Sequence, residues 1–243
     1  NVWVNFHWAG LNSWVSILDD GSGMNRDELV KAMRIGSKSP LEERTTPDLG
    51  RYGLGLKTAS ISQARSLTVG TKNSEDSEIN VRRWDLDHIT TVQDWQLLRS
   101  TTNEGTQQVS ALQDMPNGTI VLWEKLDRLV GDADVSNERA LSRFSELIRD
   151  VEAHVCMVFH RFMSGTSAVS FFINGQLLKP WDPFLASETA TQRLQAESVG
   201  NGGSMITIEP YILPHHSRLT PDQHGMAGGP GGWNAQQGFY VYR

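Results

Sequence analysis

Two glycine-containing segments are the parts of this 243-residue chain whose residue types best suit ligand chemistry. In the first, Asp19-Asp20-Gly21-Ser22-Gly23-Met24, a carboxylate stands just before two glycines. The second, Gly50-Arg51-Tyr52-Gly53-Leu54-Gly55-Leu56-Lys57, leads into a predicted helix. A helix start exposes unpaired N–H groups and the positive end of the helix dipole, and glycine lets an anion approach them. Each segment alone is equally typical of an ordinary turn, so they carry weight only together.

A predicted β-hairpin positions the first segment. Apolar residues alternate over 2–8, and a second apolar run covers 14–18, with a turn-forming composition between them. Asp19 therefore follows directly on the second strand. Asn25 and Asp27 are suited to cap a helix that continues to about Arg34.

The rest of the chain is predicted to contain both helices and strands. The patterns indicate a helix over 53–63, strands over 67–71, 79–86 and 118–126, a loop over 101–108, and a long helix over 136–162. Asn174-Gly175 predicts a hairpin, and further strands are expected over 205–213 and 238–243. Because helices and strands do not strictly alternate, the predicted class is α+β.

Composition excludes several classes of protein. The net charge of −6 argues against a chain that holds nucleic acid by bulk electrostatics. The single cysteine, Cys156, excludes a disulfide framework and fits a reducing, cytoplasmic compartment. No apolar run approaches the roughly 20 residues that a membrane helix needs, so no membrane association is expected. The histidines are not spaced as metal ligands, and no metal site is predicted.

With a third segment, Gly118-Thr119-Ile120-Val121, the two glycine segments resemble the three nucleotide-binding boxes of the GHKL ATPases. This superfamily includes gyrase B, Hsp90, histidine kinases and MutL. The residues of the boxes are most similar to those of MORC, MutL and Hsp90 proteins. The resemblance implies a Bergerat fold, a two-layer α/β sandwich, over residues 1–135. It also implies a helix and part of an S5-like transducer domain over 136–243.

The resemblance assigns adenine recognition to the first and third boxes. Asp19 would accept a hydrogen bond from the exocyclic amino group, and an ionised carboxylate, which only accepts, favours adenine over guanine there. Gly21, Gly23 and Met24 would lie close to the base. Thr119 would support Asp19 and the adenine through its hydroxyl group or a water molecule; an ordinary strand residue is the alternative.

The second box and the loop before it would hold the phosphates. The loop 36–52 would be the ATP lid, with Ser37 and Lys38 at the phosphates or, for Lys38, on the solvated surface. Lys57 would reach the phosphates as a point charge or lie exposed in the first helical turn. The expected phosphate-binding residues of the second box are Gly50, Gly53, Leu54, Gly55, Leu56 and Lys57.

The catalytic groups are expected outside this sequence. In the family, a helix before the first strand supplies a glutamate that activates water and an asparagine that holds Mg²⁺. Since this chain begins in the first strand, we read it as a fragment with impaired nucleotide affinity and no hydrolysis. Arg218, Gln236 and Gln237 are the candidates for a γ-phosphate sensor in the second domain.

The resulting hypothesis is an ATP- and ADP-binding module. In the full-length protein, Mg²⁺-dependent ATP hydrolysis would drive lid closure and homodimerisation in a MORC-, MutL- or Hsp90-like machine, with DNA left open as a partner. A histidine-kinase-like catalytic domain is one alternative. A non-enzymatic scaffold, in which the glycine loops are only structural, is the other.

Overall fold

The computed structural model describes residues 1–36, 53–75, 78–201 and 204–242. The chain divides into two compact units. The first consists of Asn1–Ile148 and Val169–Leu178, and the second of Arg149–Ala168 and Lys179–Arg243. This division does not coincide with the expected border at residue 135. Residues 136–148 and Val169–Leu178, which were expected in the second domain, belong to the first unit.

A seven-stranded sheet forms the centre of the first unit. Its strands are β1 (Val2–His7), β2 (Trp14–Asp19), β3 (Ser66–Lys72), β4 (Asn80–Asp85), β5 (Gly118–Glu124), β6 (Phe171–Ile173) and β7 (Gln176–Leu177). They lie in the order β4-β3-β5-β2-β1-β6-β7. Neighbouring strands are antiparallel except for β1 and β6, which are parallel. The hairpin at Asn174, expected in the second domain, thus extends this first sheet.

Helices cover both faces of the sheet. They are α1 (Arg26–Met33), α2 (Gly55–Ile61), α3 (Leu86–Val92), α4 (Asn103–Val109) and α5 (Glu138–Val158), the last of which continues into the second unit. We call the face that α1 and α2 cover the helix face, although α4 covers the other face. On the helix face, Leu29 of α1 and Leu56 of α2 pack with Leu67 and Val69. On the opposite face, Val109 of α4 packs with Leu112 and Ile120.

The second unit is described by smaller elements. These are β8 (Gln192–Arg193), β9 (Glu197–Asn201), β10 (Ser204–Ile208), β11 (Tyr211–Ile212) and α6 (Pro221–Ala227). β9 pairs with β10, and β8 pairs with β11, both antiparallel. The aromatic rings of Phe184 and Tyr211 stack with centroids 4.6 Å apart.

The predicted α+β class is confirmed, and so are the first hairpin and the capped helix after it. Asn25 forms a capping box with Glu28 at the start of α1.

Three local predictions are wrong. The expected loop over 101–108 contains α4, whose first turn Thr102 caps by accepting from Gly105 N. The expected strand over 205–213 is interrupted at Glu209-Pro210, because proline has no N–H for a ladder. Residues 238–242 are not in a strand.

Candidate nucleotide-binding site

Asp19 ends β2 on the helix face of the sheet. It pairs with Thr119 of β5, which in turn pairs with Thr71 of β3, so these three residues form one cross-strand row. Directly paired residues project from the same face. Two residues before Thr71 on that face, Val69 packs against the core beneath α1. The row therefore places a carboxylate and two hydroxyl groups on the side of the sheet that α1 and α2 cover.

A hydroxyl network joins the row to the glycine turn. Thr71 Oγ1 accepts a 2.8 Å hydrogen bond from Met24 N and lies 3.1 Å from both Gly118 O and Thr119 Oγ1. A carbonyl only accepts, so the single Thr71 proton is directed to Gly118 O. We infer that Thr119 donates to Thr71. The lone pairs of Thr119 are then available to accept from a ligand or a water molecule.

The Asp19 carboxylate is half-buried and only partly satisfied. Its Oδ1 accepts from Gly21 N at 2.9 Å, and the backbone N–H of Thr119 also acts on the carboxylate and lowers its pKa. Burial raises the pKa of Asp19 above its ordinary value of 3.8, and the hydrogen bond from Gly21 acts in the opposite direction. The ionised carboxylate has about four acceptor sites, so Asp19 keeps capacity to accept from the amino group of a ligand.

The turn after Asp19 needs glycine for structural reasons. Gly23 has a φ of +67°, and a Cβ there would lie 1.9 Å from Lys72 O. Gly118, on the neighbouring strand, would bring a Cβ to 2.4 Å from Asp19 O. Asn117 donates from its side-chain amide to Gly21 O. The turn is thus packed tightly against β3 and β5, which fixes the position of the carboxylate.

The start of α2 differs from the other helix starts in the described part of the chain. Side chains cap α1, α3, α4 and α6, and Asn137 accepts from Ala140 N at the start of α5. The cap position of α2 is Leu54, which offers no side-chain hydrogen bond. A Cβ on Gly55 would meet nothing within 4 Å. Among the described residues, no side chain caps the first N–H groups of α2, so they can receive an acceptor.

Lys57 does not lie in solvent, so the exposed position, one of the two alternatives left open for it, is excluded, whereas its contact with the phosphates stays a prediction. Its side chain is 2% exposed. The ammonium group donates to Ala32 O at 2.8 Å and to Gly53 O. Burial lowers the pKa of Lys57. In this structure the residue ties the start of α2 to the end of α1.

The structure brings together the first, third and part of the second box. Met24, after the glycine turn, and Leu56, in the first turn of α2, pack against the same core cluster of Leu29 and Met33. Both parts thus belong to the helix face. Ser37, Lys38 and Gly50, together with the rest of the expected lid, lie outside the described residues.

Two residues of the site were not predicted from the sequence. Thr71 was taken only as the end of a strand, and no role was predicted for Asn117. Their roles depend on strand register, which brings β3 beside β5 and places Thr71 opposite Thr119. A threonine at the end of each of two apolar strands was the only signal available.

The expected phosphate sensors belong to the second unit and have ordinary surroundings there. Arg218 lies exposed in a 3₁₀ turn, and Gln237 is exposed as well. The Gln236 amide donates to Pro230 O, and its Oε1 accepts from Tyr240. Within the described residues, no three His, Cys, Asp or Glu side chains are grouped to hold a metal ion.

The fold and the site define a class of protein. It is an α+β domain that presents a half-buried carboxylate and an uncapped, glycine-led helix start on one face of a mixed sheet. Residues 1–119 match the sequence model of the family described as histidine kinase-, DNA gyrase B- and HSP90-like ATPases. This part of the chain belongs to that family, and the expected GHKL membership is confirmed.

Solved structures of topoisomerase II are similar to the chain. The ATPase and transducer domains from Balamuthia mandrillaris share 15% identity at a TM-score of 0.47, covering 81% of this chain and 47% of that one. The Saccharomyces cerevisiae ATPase region shares 14% identity at a TM-score of 0.44, covering 80% and 48%. The same yeast region bound to ICRF-187 (dexrazoxane) shares 12% at 0.46, covering 80% and 49%.

The chain thus spans about half the length of the topoisomerase II chains that it matches. No curated protein matches the sequence significantly. None of the helices in the described ranges is both long and apolar enough to cross a membrane.

Proposed function

We propose that this chain binds ATP, with Asp19 selecting adenine and the start of α2 receiving the phosphates. The half-buried Asp19 carboxylate carries the proposal. It is fixed by the packed glycine turn, keeps acceptor sites beyond those used by the backbone N–H groups of Gly21 and Thr119, and lies on the helix face. An acceptor in this setting favours adenine, which presents an amino group, over guanine, which presents a carbonyl at the same edge.

The uncapped first turn of α2 supports the phosphate end of the proposal. Its free N–H groups and the helix dipole together favour an anion. Gly55 leaves open space where a side chain would stand. We further propose that Ser37, Lys38 and Gly50, on the lid segment, contribute to the same phosphates.

The coupled process is also a proposal. In the whole protein, ATP hydrolysis with Mg²⁺ would drive lid closure and homodimerisation in a MORC-, MutL- or Hsp90-like machine that acts with DNA. Residues 136–243 would form the beginning of an S5-like transducer that reports the state of the nucleotide. No residue of the described chain is assigned to Mg²⁺, because no suitable group of ligands is present there.

Thermal unfolding with ATP and with GTP, each with Mg²⁺, tests the proposal. A ligand at 100 times its dissociation constant stabilises the folded state by about 2.7 kcal/mol. We expect ATP, but not GTP, to raise the melting temperature. Asp19→Asn should weaken ATP binding about 10- to 150-fold, because a hydrogen bond to a charged group contributes about 1.5–3 kcal/mol.

The matched control is Asp132→Asn, at an exposed carboxylate that is not part of the proposed site. It should bind ATP as the wild type does. Equal ATP affinity in Asp19→Asn would refute the adenine assignment. Absence of a shift with either nucleotide would favour the non-enzymatic scaffold.

A further inference from the structure

A second charged site lies at the β4 edge of the same sheet. Arg83 of β4 forms an isolated antiparallel bridge with Leu98, with both backbone hydrogen bonds at 2.9 Å. The residues flanking such a bridge face each other, so Arg82 lies opposite Arg99 and both project from the same face. Trp84, two residues after Arg82, packs into the core beneath α1. The arginine pair is therefore on the helix face.

Arg26, the first residue of α1, completes a cluster of three arginines. Arg82 is 6% exposed, and its Nη1 donates to Val81 O at 2.6 Å. Among the described residues, no carboxylate lies within ion-pair distance of any of the three. Burial lowers the pKa of Arg82, and the charges of Arg26 and Arg99 lower it further. Like charges placed opposite each other destabilise a sheet, so the cluster carries a repulsion that the described chain leaves uncompensated.

The cluster opens into a depression of about 790 Å³ that also borders Lys31. Two acidic residues of α1, Asp27 and Glu28, lie on its rim. Glu28 is already committed, since its Oε2 accepts from Asn25 N at 2.8 Å. The depression therefore keeps an excess of positive charge in a chain whose net charge is −6.

We propose that Arg26, Arg82 and Arg99 form a binding site for a phosphate group, separate from the nucleotide site. Planar guanidinium groups match phosphate oxygens in pairs, and they bind strongly where one of them is already desolvated. The nearby start of α1 adds the positive end of its dipole. β4 is three strands away from β2, or roughly 14 Å at the usual strand spacing. The group is either a free phosphate or one of a nucleic-acid backbone.

Pyrophosphate is the first probe, with binding measured by calorimetry and by thermal shift. Arg99→Gln and Arg26→Gln change exposed side chains, so both variants are expected to fold. Each should weaken pyrophosphate binding about tenfold. Without ligand, Arg99→Gln should melt at or above the wild-type temperature, because it relieves repulsion. The control, Arg139→Gln, changes an exposed arginine on α5 and should alter neither quantity.

This pairing of weaker binding with undiminished stability separates a ligand site from a structural cluster. Unchanged pyrophosphate affinity in Arg99→Gln and Arg26→Gln would overturn the proposal. A clear loss of stability in unliganded Arg99→Gln would overturn it as well, because the arginine would then serve the fold.

Two further arms identify the source and the independence of the site. A labelled 12-base-pair duplex, followed by anisotropy against salt, tests a backbone phosphate. If it binds here, each arginine variant should reduce the slope of log K against log salt by about 0.9. If only pyrophosphate binds, the source is a free phosphate. Gly55→Ala, which should hold phosphate away from the start of α2, should retain pyrophosphate binding, and loss of that binding would place the anion in the nucleotide site and overturn the proposal.

Discussion

The substitution Gly55→Ala tests whether Gly55 is needed for binding a ligand or for the conformation of the backbone. Gly55 begins α2 without a positive φ, and the added Cβ meets no atom within 4 Å. Alanine is favoured over glycine in a helix by about 0.5–1 kcal/mol. The unliganded variant should therefore be as stable as the wild type or up to about 1 kcal/mol more stable.

The same methyl group should interfere with ATP. If phosphate oxygens close on the N–H groups at this helix start, the methyl holds at least one oxygen away. Loss of one charge-assisted hydrogen bond costs about 1.5–3 kcal/mol, which is roughly a 10- to 150-fold weaker affinity. The structure thus predicts that Gly55→Ala leaves the stability of the unliganded protein unchanged or raises it, and that it lowers the affinity for ATP.

Chemical unfolding measures the first quantity, and titration calorimetry with ATP measures the second. Gly225→Ala is the matched control, because Gly225 lies in α6 and its Cβ would also meet nothing within 4 Å. It should gain stability and keep its ATP affinity. Full ATP affinity in Gly55→Ala would refute phosphate binding at the start of α2.

Four other predictions concern the turn and the row beside it. ATP affinity should fall on acidification with a midpoint above pH 3.8, since burial raises the pKa of Asp19 and the ionised form accepts the amino group; titrations at several pH values test this. Because burial raises the pKa of Asp19 in the folded state, the stability that Asp19 contributes is present at low pH and is lost as the pH rises through its folded pKa. If Asp19→Asn left the dependence of the free energy of unfolding on pH unaltered, the raised pKa would be contradicted. Thr71→Val should cost about 1–3 kcal/mol and weaken ATP binding, because Met24 N loses its acceptor; equal urea midpoints would exclude this. Gly23→Ala should cost about 2–5 kcal/mol, from a left-handed φ and a contact at 1.9 Å; unchanged urea unfolding would mean that the turn relaxes freely.

The chemically distinctive residues could be found from the sequence. Asp19 follows an apolar strand and precedes two glycines, and this local pattern already suggests a carboxylate held at a strand end. Thr119 begins the strand that lies beside it. These patterns involve residues that are adjacent in the sequence, so they can be recognised without knowing the fold.

Features that depend on register could not be found in this way. Thr71 joins the site only because β3 pairs with β5, across 48 residues of sequence. α4 was missed since its segment is polar, and its stability comes from the Thr102 cap and from Val109 packing on the opposite face. The arginine cluster depends on a single bridge between Arg83 and Leu98.

Lys57 shows how a motif residue can serve the fold of a site instead of its ligand. Its ammonium group is bound to two carbonyls, and Lys57→Met keeps the apolar stem while removing both hydrogen bonds. An unsatisfied buried carbonyl costs about 1–3 kcal/mol. Because both hydrogen bonds are only part-buried, we expect a combined loss in the lower part of the summed range, about 2–4 kcal/mol in urea unfolding. ATP affinity, measured where the variant is fully folded, should change less than tenfold. The reverse result, a large loss of affinity at nearly unchanged stability, would mean that Lys57 turns from Ala32 O and Gly53 O to the phosphates when ATP binds.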